Sequence, residues 1–300
     1  SEQGLADMLD RYKNPEHRLY LSRARGISPK HAKDALIRYE WLESAYQRRS
    51  AFEDENGNVV LEKVTGSMAL GVDVANSEGG DEAAIARGKG SVLIEIDSFP
   101  CPDANVLGTQ VYKEMTVKRI NERYVGVDGV GVGAGTVNEL KRLGKNVVNI
   151  ISSEAAEPLV DEGGEPSEHE SETKKKVEMV EQFKNLRSQM WWRASLDLKN
   201  GTIAIPFDED LFADLMEPKW GTRNGKIFIE SKEDIKKRLG RSPNKGDAFV
   251  YWNWVRTLRG VSAALQGAKP KEDVPVKKER IDVHNYNVRT PYTGRMKRSF

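Results

Sequence analysis

The sequence predicts an α/β protein built on a mixed sheet flanked by helices. Three observations carry this expectation. Between Met68 and Phe99, apolar runs through Leu70, Val72 and Val74, then Ala83 to Ala86, then Val92, Ile94 and Ile96 are separated by NSEGG and RGKG, which have turn chemistry. This is the pattern of a three-stranded meander. From about Asn105 onward, helical and strand patterns alternate, as they do where helices pack on a sheet. After the loop RSPNKG a last amphipathic helix begins at Asp247, with Tyr251, Trp254, Val255, Leu258 and Val261 at helical spacing.

Three hundred residues with 38% hydrophobic content are enough for one sizeable core with polar attachments. Lys and Arg total 47 against 46 for Asp and Glu, so charge has to be read segment by segment. The single cysteine, Cys101, excludes an intramolecular disulfide, and there is neither a signal-peptide pattern nor an apolar run of bilayer length. A reducing cytoplasm and no membrane association are the expectation.

Along the chain, residues 1–66 read as a polar helical segment. Ser28-Pro29 is its start signal, and Ala32, Ala35, Tyr39, Leu42 and Tyr46 form a stripe that needs a packing partner. Residues 67–266 form the main domain. After the meander come a helix from about Asn105 to Glu122, a strand YVGVD ending at Asp128, a glycine-rich turn, a helix through Leu140 and the strand VVNII. Residues 154–172 hold eight acids and no Lys or Arg, the composition of a mobile loop. A long helix from roughly Thr173 to Leu198, a strand at Thr202 to Ile205, a short helix with Leu211, Phe212 and Leu215, and a hairpin at Asn224-Gly225 follow. Residues 267–300, with nine basic and four acidic side chains, read as a basic tail, disordered alone.

Three aspartates carry the chemistry. Asp73 interrupts the apolar strand ALGVDVA, where an acid is costly to bury unless a cation satisfies it. Asp128 ends YVGVD beside glycines that allow close approach to the backbone. Asp247 stands at the start of a helix, whose dipole stabilises its charge. Singly, Asp247 is equally explained as an N-cap and Asp128 as a turn residue. Together, two carboxylates from neighbouring strands and a third from a later helix suit a pair of Mg²⁺ or Mn²⁺ ions and two-metal phosphodiester hydrolysis. A zinc site is not expected, because His17, His31, His169 and His284 lie in the arm, the acidic loop and the tail without ligand spacing.

Four segments carry a more specific likeness: GVDVANSEGGDEAAIARGKG, YVGVDGVGVGAGTVNELKRLG, FKNLRSQMWWRASLDLKNGTIAIP and IFIESKEDIKKRLGRSPNKGDAFVYWNWV. In this order, over about residues 68 to 260, the chain resembles the nuclease domains of tailed-bacteriophage large terminases, members of the RNase H-like (RuvC-like) superfamily. The resemblance implies an RNase H-like fold and a metal-dependent endonuclease that cuts concatemeric double-stranded DNA at packaging initiation and termination. It implies metal-binding acids at Asp73, Asp128 and Asp247, with Asp81 as a further acid that is equally read as an exposed turn residue. It implies the portal protein and the small terminase as partners, in the host cytoplasm at the procapsid. No G-x-x-x-x-G-K-[ST] loop occurs, so ATP hydrolysis is not expected here and the ATPase domain of such enzymes lies outside this chain.

Rival readings share parts of this pattern. GVGVGA at Gly129–Ala134 fits the loose dinucleotide fingerprint, but no ribose-binding acid follows at the right distance and a meander is the wrong start for a βαβ unit. A Holliday-junction resolvase or transposase would use the same acids, and a non-enzymatic scaffold would have no reason to keep all three. Trp191 and Trp192 read as helix core or as base-stacking groups. Lys232, Lys236, Lys237, Arg238 and Arg241 read as a solvated helix face or as phosphate contacts, their nearness to Asp247 favouring DNA. Arg187 and Arg193 read as substrate contacts or structural ion pairs.

Overall fold

The computed structural model describes residues 34–75, 82–101, 103–157 and 182–257. Five strands form one sheet: β1 (Met68–Asp73), β2 (Ala83–Lys89), β3 (Val92–Phe99), β4 (Val125–Asp128) and β5 (Val148–Ile150). Their order is β3-β2-β1-β4-β5. β1, β2 and β3 pair antiparallel as the expected meander, while β4 and β5 join parallel to β1, making the sheet mixed. The parallel half needs crossovers, and helices α2 (Ala104–Val117) and α3 (Gly133–Arg142) supply them. Helix α2 stops at Val117, short of the expected Glu122. Lys118 leaves helical geometry and Arg119 takes a positive φ of 51°.

Helix α1 (Tyr39–Arg49) belongs to the same core: Leu36, Ile37, Leu42 and Ala45 are buried with the sheet residues. Its inner face is Leu42, Ala45 and Arg49, whereas Tyr46 is 42% exposed, so the stripe expected through Tyr46 is displaced. Arg49 explains the shift, because its Nη1 donates to the carbonyls of Leu93 and Ile94 on β3 and ties the helix to the sheet edge. The Ser28-Pro29 start signal, the tail 267–300 and most of the acidic segment lie outside the described residues.

Beyond them, α4 (Leu186–Lys199) is capped by Asn185, whose side chain accepts from the Ser188 amide, while the expected helix start near Thr173 lies outside the described residues. Phe183, just before it, bridges Ile227 instead. Thr202 to Ile205 makes a single bridge, Ala204 to Val92, and is not a strand. Helix α5 (Glu209–Met216) and a hairpin of β6 (Trp220–Arg223) and β7 (Lys226–Ile229) come next. Asn224 and Gly225 both have positive φ, as the expected Asn-Gly turn requires. Two helices close the described chain, α6 (Lys232–Leu239) and α7 (Asn244–Thr257).

Helix α7 is buried from Asn244 to Arg256 on every side, not amphipathic as its spacing suggested. It lies between the sheet and helices α4 and α5, so each of its faces has a partner. Glycines make this possible. Gly71 pairs with Gly126 across β1 and β4, and a Cβ on Gly71 would collide with the Ala248 carbonyl and the Trp252 amide of α7. Backbone cannot yield as a side chain can, so Gly71→Ala is expected to cost at least about 3 kcal/mol, at the upper end for overpacking. Urea denaturation measures this, and an unchanged midpoint would mean that α7 is not seated on β1.

Candidate active site

The same face of the sheet carries the acids. Side chains alternate along a strand, so Asp73 shares the α7 face with Gly71, and Asp128 shares it with Gly126. Val72 pairs with Val127, which brings the two carboxylates to adjacent ends of parallel strands. Asp247, in the first turn of α7, meets them there. Its amide donates to the Pro243 carbonyl inside the helix and its carboxylate points into the cluster, so the N-cap reading does not hold. The Gly246 amide is held by the Asp214 carboxylate instead.

Asp73 is 0% and Asp247 1% exposed, and such burial requires a compensating cation. Lys232, the first residue of α6, supplies one. Its Nζ lies 3.2 Å from Asp73 Oδ1 and 3.0 Å from Oδ2, and 3.2 Å from Asp247 Oδ2. Arg187 of α4 supplies a second, with Nη1 2.8 Å from Asp247 Oδ1. The Trp191 indole N–H donates to the same oxygen at 3.3 Å. Asp247 Oδ2 has the Lys232 ion pair but accepts no well-directed hydrogen bond. Asp128 accepts from the Val130 amide through Oδ1 at 3.0 Å, so it is also a turn residue, and its Oδ2 faces the Tyr251 hydroxyl at 3.5 Å. Ser152 Oγ stands 3.3 Å from that hydroxyl.

Electrostatics follows from this packing. Burial pushes the Asp73 carboxyl up to about 8, with Asp247 and Asp128 adding to the rise and Lys232 opposing it. Burial likewise raises Asp128. Burial would also raise Asp247, but Arg187 and Lys232 outweigh it and hold that carboxyl below its ordinary value. Lys232 loses solvation too, yet Asp73 and Asp247 keep its ammonium firmly charged.

Among the described residues no three His, Cys, Asp or Glu side chains form a closed group set to hold a metal ion. The Lys232 ammonium stands between Asp73 and Asp247, where their oxygens would otherwise converge on a cation. The donor chemistry nevertheless fits a hard divalent ion: carboxylate oxygens alone, two of the three acids buried, and one oxygen without a hydrogen bond.

In this structure Lys232 commits its ammonium to Asp73 and Asp247. Arg238 spends its guanidinium on Glu217 and Glu230, and Arg241 on Asp210 and Asp214. Lys236 and Lys237 are exposed on α6, Lys237 with its Nζ 3.4 Å from Asp234. Trp191 is core and a hydrogen-bond donor, and Trp192 packs edge-on against Trp220, so neither is a stacking platform. Asp81 lies outside the described residues. Tyr251 read only as part of a helix stripe, and Ser152 was not singled out at all. The four-residue step from Asp247 to Tyr251, which puts both on one face of α7, was the available signal.

No family model and no curated protein matches the chain. Solved structures do. The nuclease domain of the large terminase subunit gp2 of bacterial virus Sf6 superposes with a TM-score of 0.57 at 21% identity, over 73% of this chain and 98% of that one. A mutant of that domain with manganese and beta-thujaplicinol, and another with calcium, each give a TM-score of 0.56 at 21% identity with the same coverage. The fold is thus the RNase H-like fold of terminase nuclease domains, a mixed five-stranded sheet flanked by helices.

Proposed function

We propose that this chain is a metal-dependent DNA endonuclease of a viral genome-packaging motor, cutting double-stranded concatemers. The observation that carries the reading is the meeting of Asp73 and Asp247 on one lysine ammonium, with Asp128 close enough for its charge to act on both, on a fold of this kind. Asp73, Asp128 and Asp247 would hold Mg²⁺ or Mn²⁺, two ions in this reading, supplying Lewis acidity for attack by water and for charge on the departing 3′ oxygen. Asp247 is kept ionised by Arg187 and Lys232 and so offers a ready anionic ligand. Tyr251 donates to Asp128 and orients its carboxylate. Lys232, a third exposed beside these acids, would be the chain's own group for backbone phosphate if Asp73 and Asp247 held a divalent ion. Phosphate contacts read no bases, so cleavage has little sequence preference. The ATPase domain of the motor, the portal protein and the small terminase are the partners that this reading entails.

Supercoiled plasmid incubated with the purified chain should be nicked or linearised in Mg²⁺ or Mn²⁺ and left intact in EDTA. Persistent absence of metal-dependent cleavage across both ions and a range of salt would overturn the proposal.

A further inference from the structure

We propose that Arg187 and Trp191 form a clamp that fixes the orientation of the Asp247 carboxylate and leaves Oδ2 as the oxygen offered to a divalent cation. The inference rests on the nuclease reading above and names two positioning residues for it. Four residues apart on α4, the two side chains occupy one face of that helix. Both donate to the same atom, Asp247 Oδ1, Arg187 Nη1 from 2.8 Å and Trp191 Nε1 from 3.3 Å. The clamp is itself braced. The guanidinium lies over the Trp191 ring at 5.4 Å, and its Nε donates to the Glu230 carbonyl at 3.4 Å.

The terminal torsion of a carboxylate is broad, so an unheld Asp247 would exchange its two oxygens between the metal side and the protein side. Two donors on one oxygen remove that freedom. Asp247 Oδ2 is buried, accepts no well-directed hydrogen bond and is met only by the Lys232 ammonium at 3.2 Å, so it is the oxygen answered by a charge and not by a fixed donor. Arg187 commits Nη1 to Asp247 and Nε to the Glu230 carbonyl, which fixes the guanidinium against the carboxylate. The first turn of α7 has a further anchor beside the Trp191 ring, through Asp214 on the Gly246 amide at 3.0 Å and Arg241 on Asp214 at 2.6 Å. The backbone of that turn thus has a hydrogen-bonded anchor of its own, and what Arg187 and Trp191 add through their donors is the setting of the carboxylate's rotation.

Trp191→Phe and Arg187→Lys test this, since both keep the local charge and most of the bulk. Mn²⁺ affinity without DNA, measured by calorimetry, should fall about tenfold in each variant, the usual scale for groups that orient metal ligands. Because Trp191 is fully buried, Trp191→Phe is expected to melt below wild type in EDTA, and that control separates lost packing from lost metal affinity. In a ¹H–¹⁵N spectrum the indole signal missing from Trp191→Phe should shift when Mg²⁺ is added to the wild-type protein. Unaltered Mn²⁺ affinity in both variants, or an indole signal indifferent to Mg²⁺, overturns the clamp. Should Arg187→Lys fail to fold, Trp191→Phe and the wild-type spectrum decide alone. A wild-type protein that binds Mn²⁺ and cuts DNA beside variants that bind equally well sinks only the clamp. A wild type that neither binds nor cuts sinks the nuclease reading and the clamp with it.

Discussion

Replacing Asp73, Asp128 or Asp247 singly by asparagine is expected to lower metal-dependent cleavage by about a thousandfold or more. Several kcal/mol of transition-state stabilisation depend on the cation, and each 1.4 kcal/mol is tenfold in rate. Asparagine keeps the shape and one acceptor oxygen, so the fold should persist: Asp247→Asn can still accept from Arg187 and Trp191. Plasmid nicking in Mn²⁺, with circular dichroism as the control for folding, measures both. A variant that cuts at nearly the wild-type rate with an unchanged metal requirement removes that residue from the site. Asp128 is the least buried of the three, so its loss should disturb the metal-free protein least.

Lys232→Met is expected to destabilise the metal-free protein by about 2–3 kcal/mol at pH 8, and by less at pH 5. Breaking a buried ion pair by removing one partner costs roughly 3–5 kcal/mol, and the figure is reduced here because the lysine is a third exposed. The pH dependence comes from Asp73, whose folded carboxyl is raised to about 8 from an ordinary value of 3.8. A raised carboxyl contributes stability that is complete below about pH 4 and is lost as pH climbs to about 8. At pH 5 Asp73 stays protonated in the fold and needs Lys232 little. At pH 8 it ionises against Lys232, and without that ammonium it must stay protonated or stand as an uncompensated buried charge. Melting in EDTA at both pH values tests the sign. Mn²⁺ should then stabilise the variant more than wild type, because no internal cation competes for Asp73 and Asp247. Equal melting temperatures at pH 8, or a smaller Mn²⁺ effect in the variant, would show that Lys232 does not neutralise the cluster.

How much of the site was legible depended on how local its signals were. Asp73 and Asp128 were visible because a carboxylate within or closing an apolar strand stands out over a few residues, although Asp73, expected mid-strand, in fact ends β1. Asp247 was visible as an acid in a helix's first turn, but its partners were not. Lys232 is 159 residues from Asp73 in the chain and Arg187 is 60 from Asp247, and no periodicity links such positions. The basic helix around Lys232 therefore read as a phosphate-binding face, although Arg238 and Arg241 are held by carboxylates in the fold.

The sequence by itself determined the meander, the alternation of helix and strand after it, the Asn224-Gly225 hairpin and the strands that carry Asp73 and Asp128. Each is encoded by side-chain period or turn chemistry within a single element. Only the tertiary structure decided that α7 is buried on all sides, that Thr202 to Ile205 gives one bridge instead of a strand, and that a lysine neutralises the buried acids. The physical reason is common to all three. A periodic pattern states which face of an element is apolar, whereas what covers that face, and which cation answers a buried charge, is chosen by packing between elements far apart in the chain.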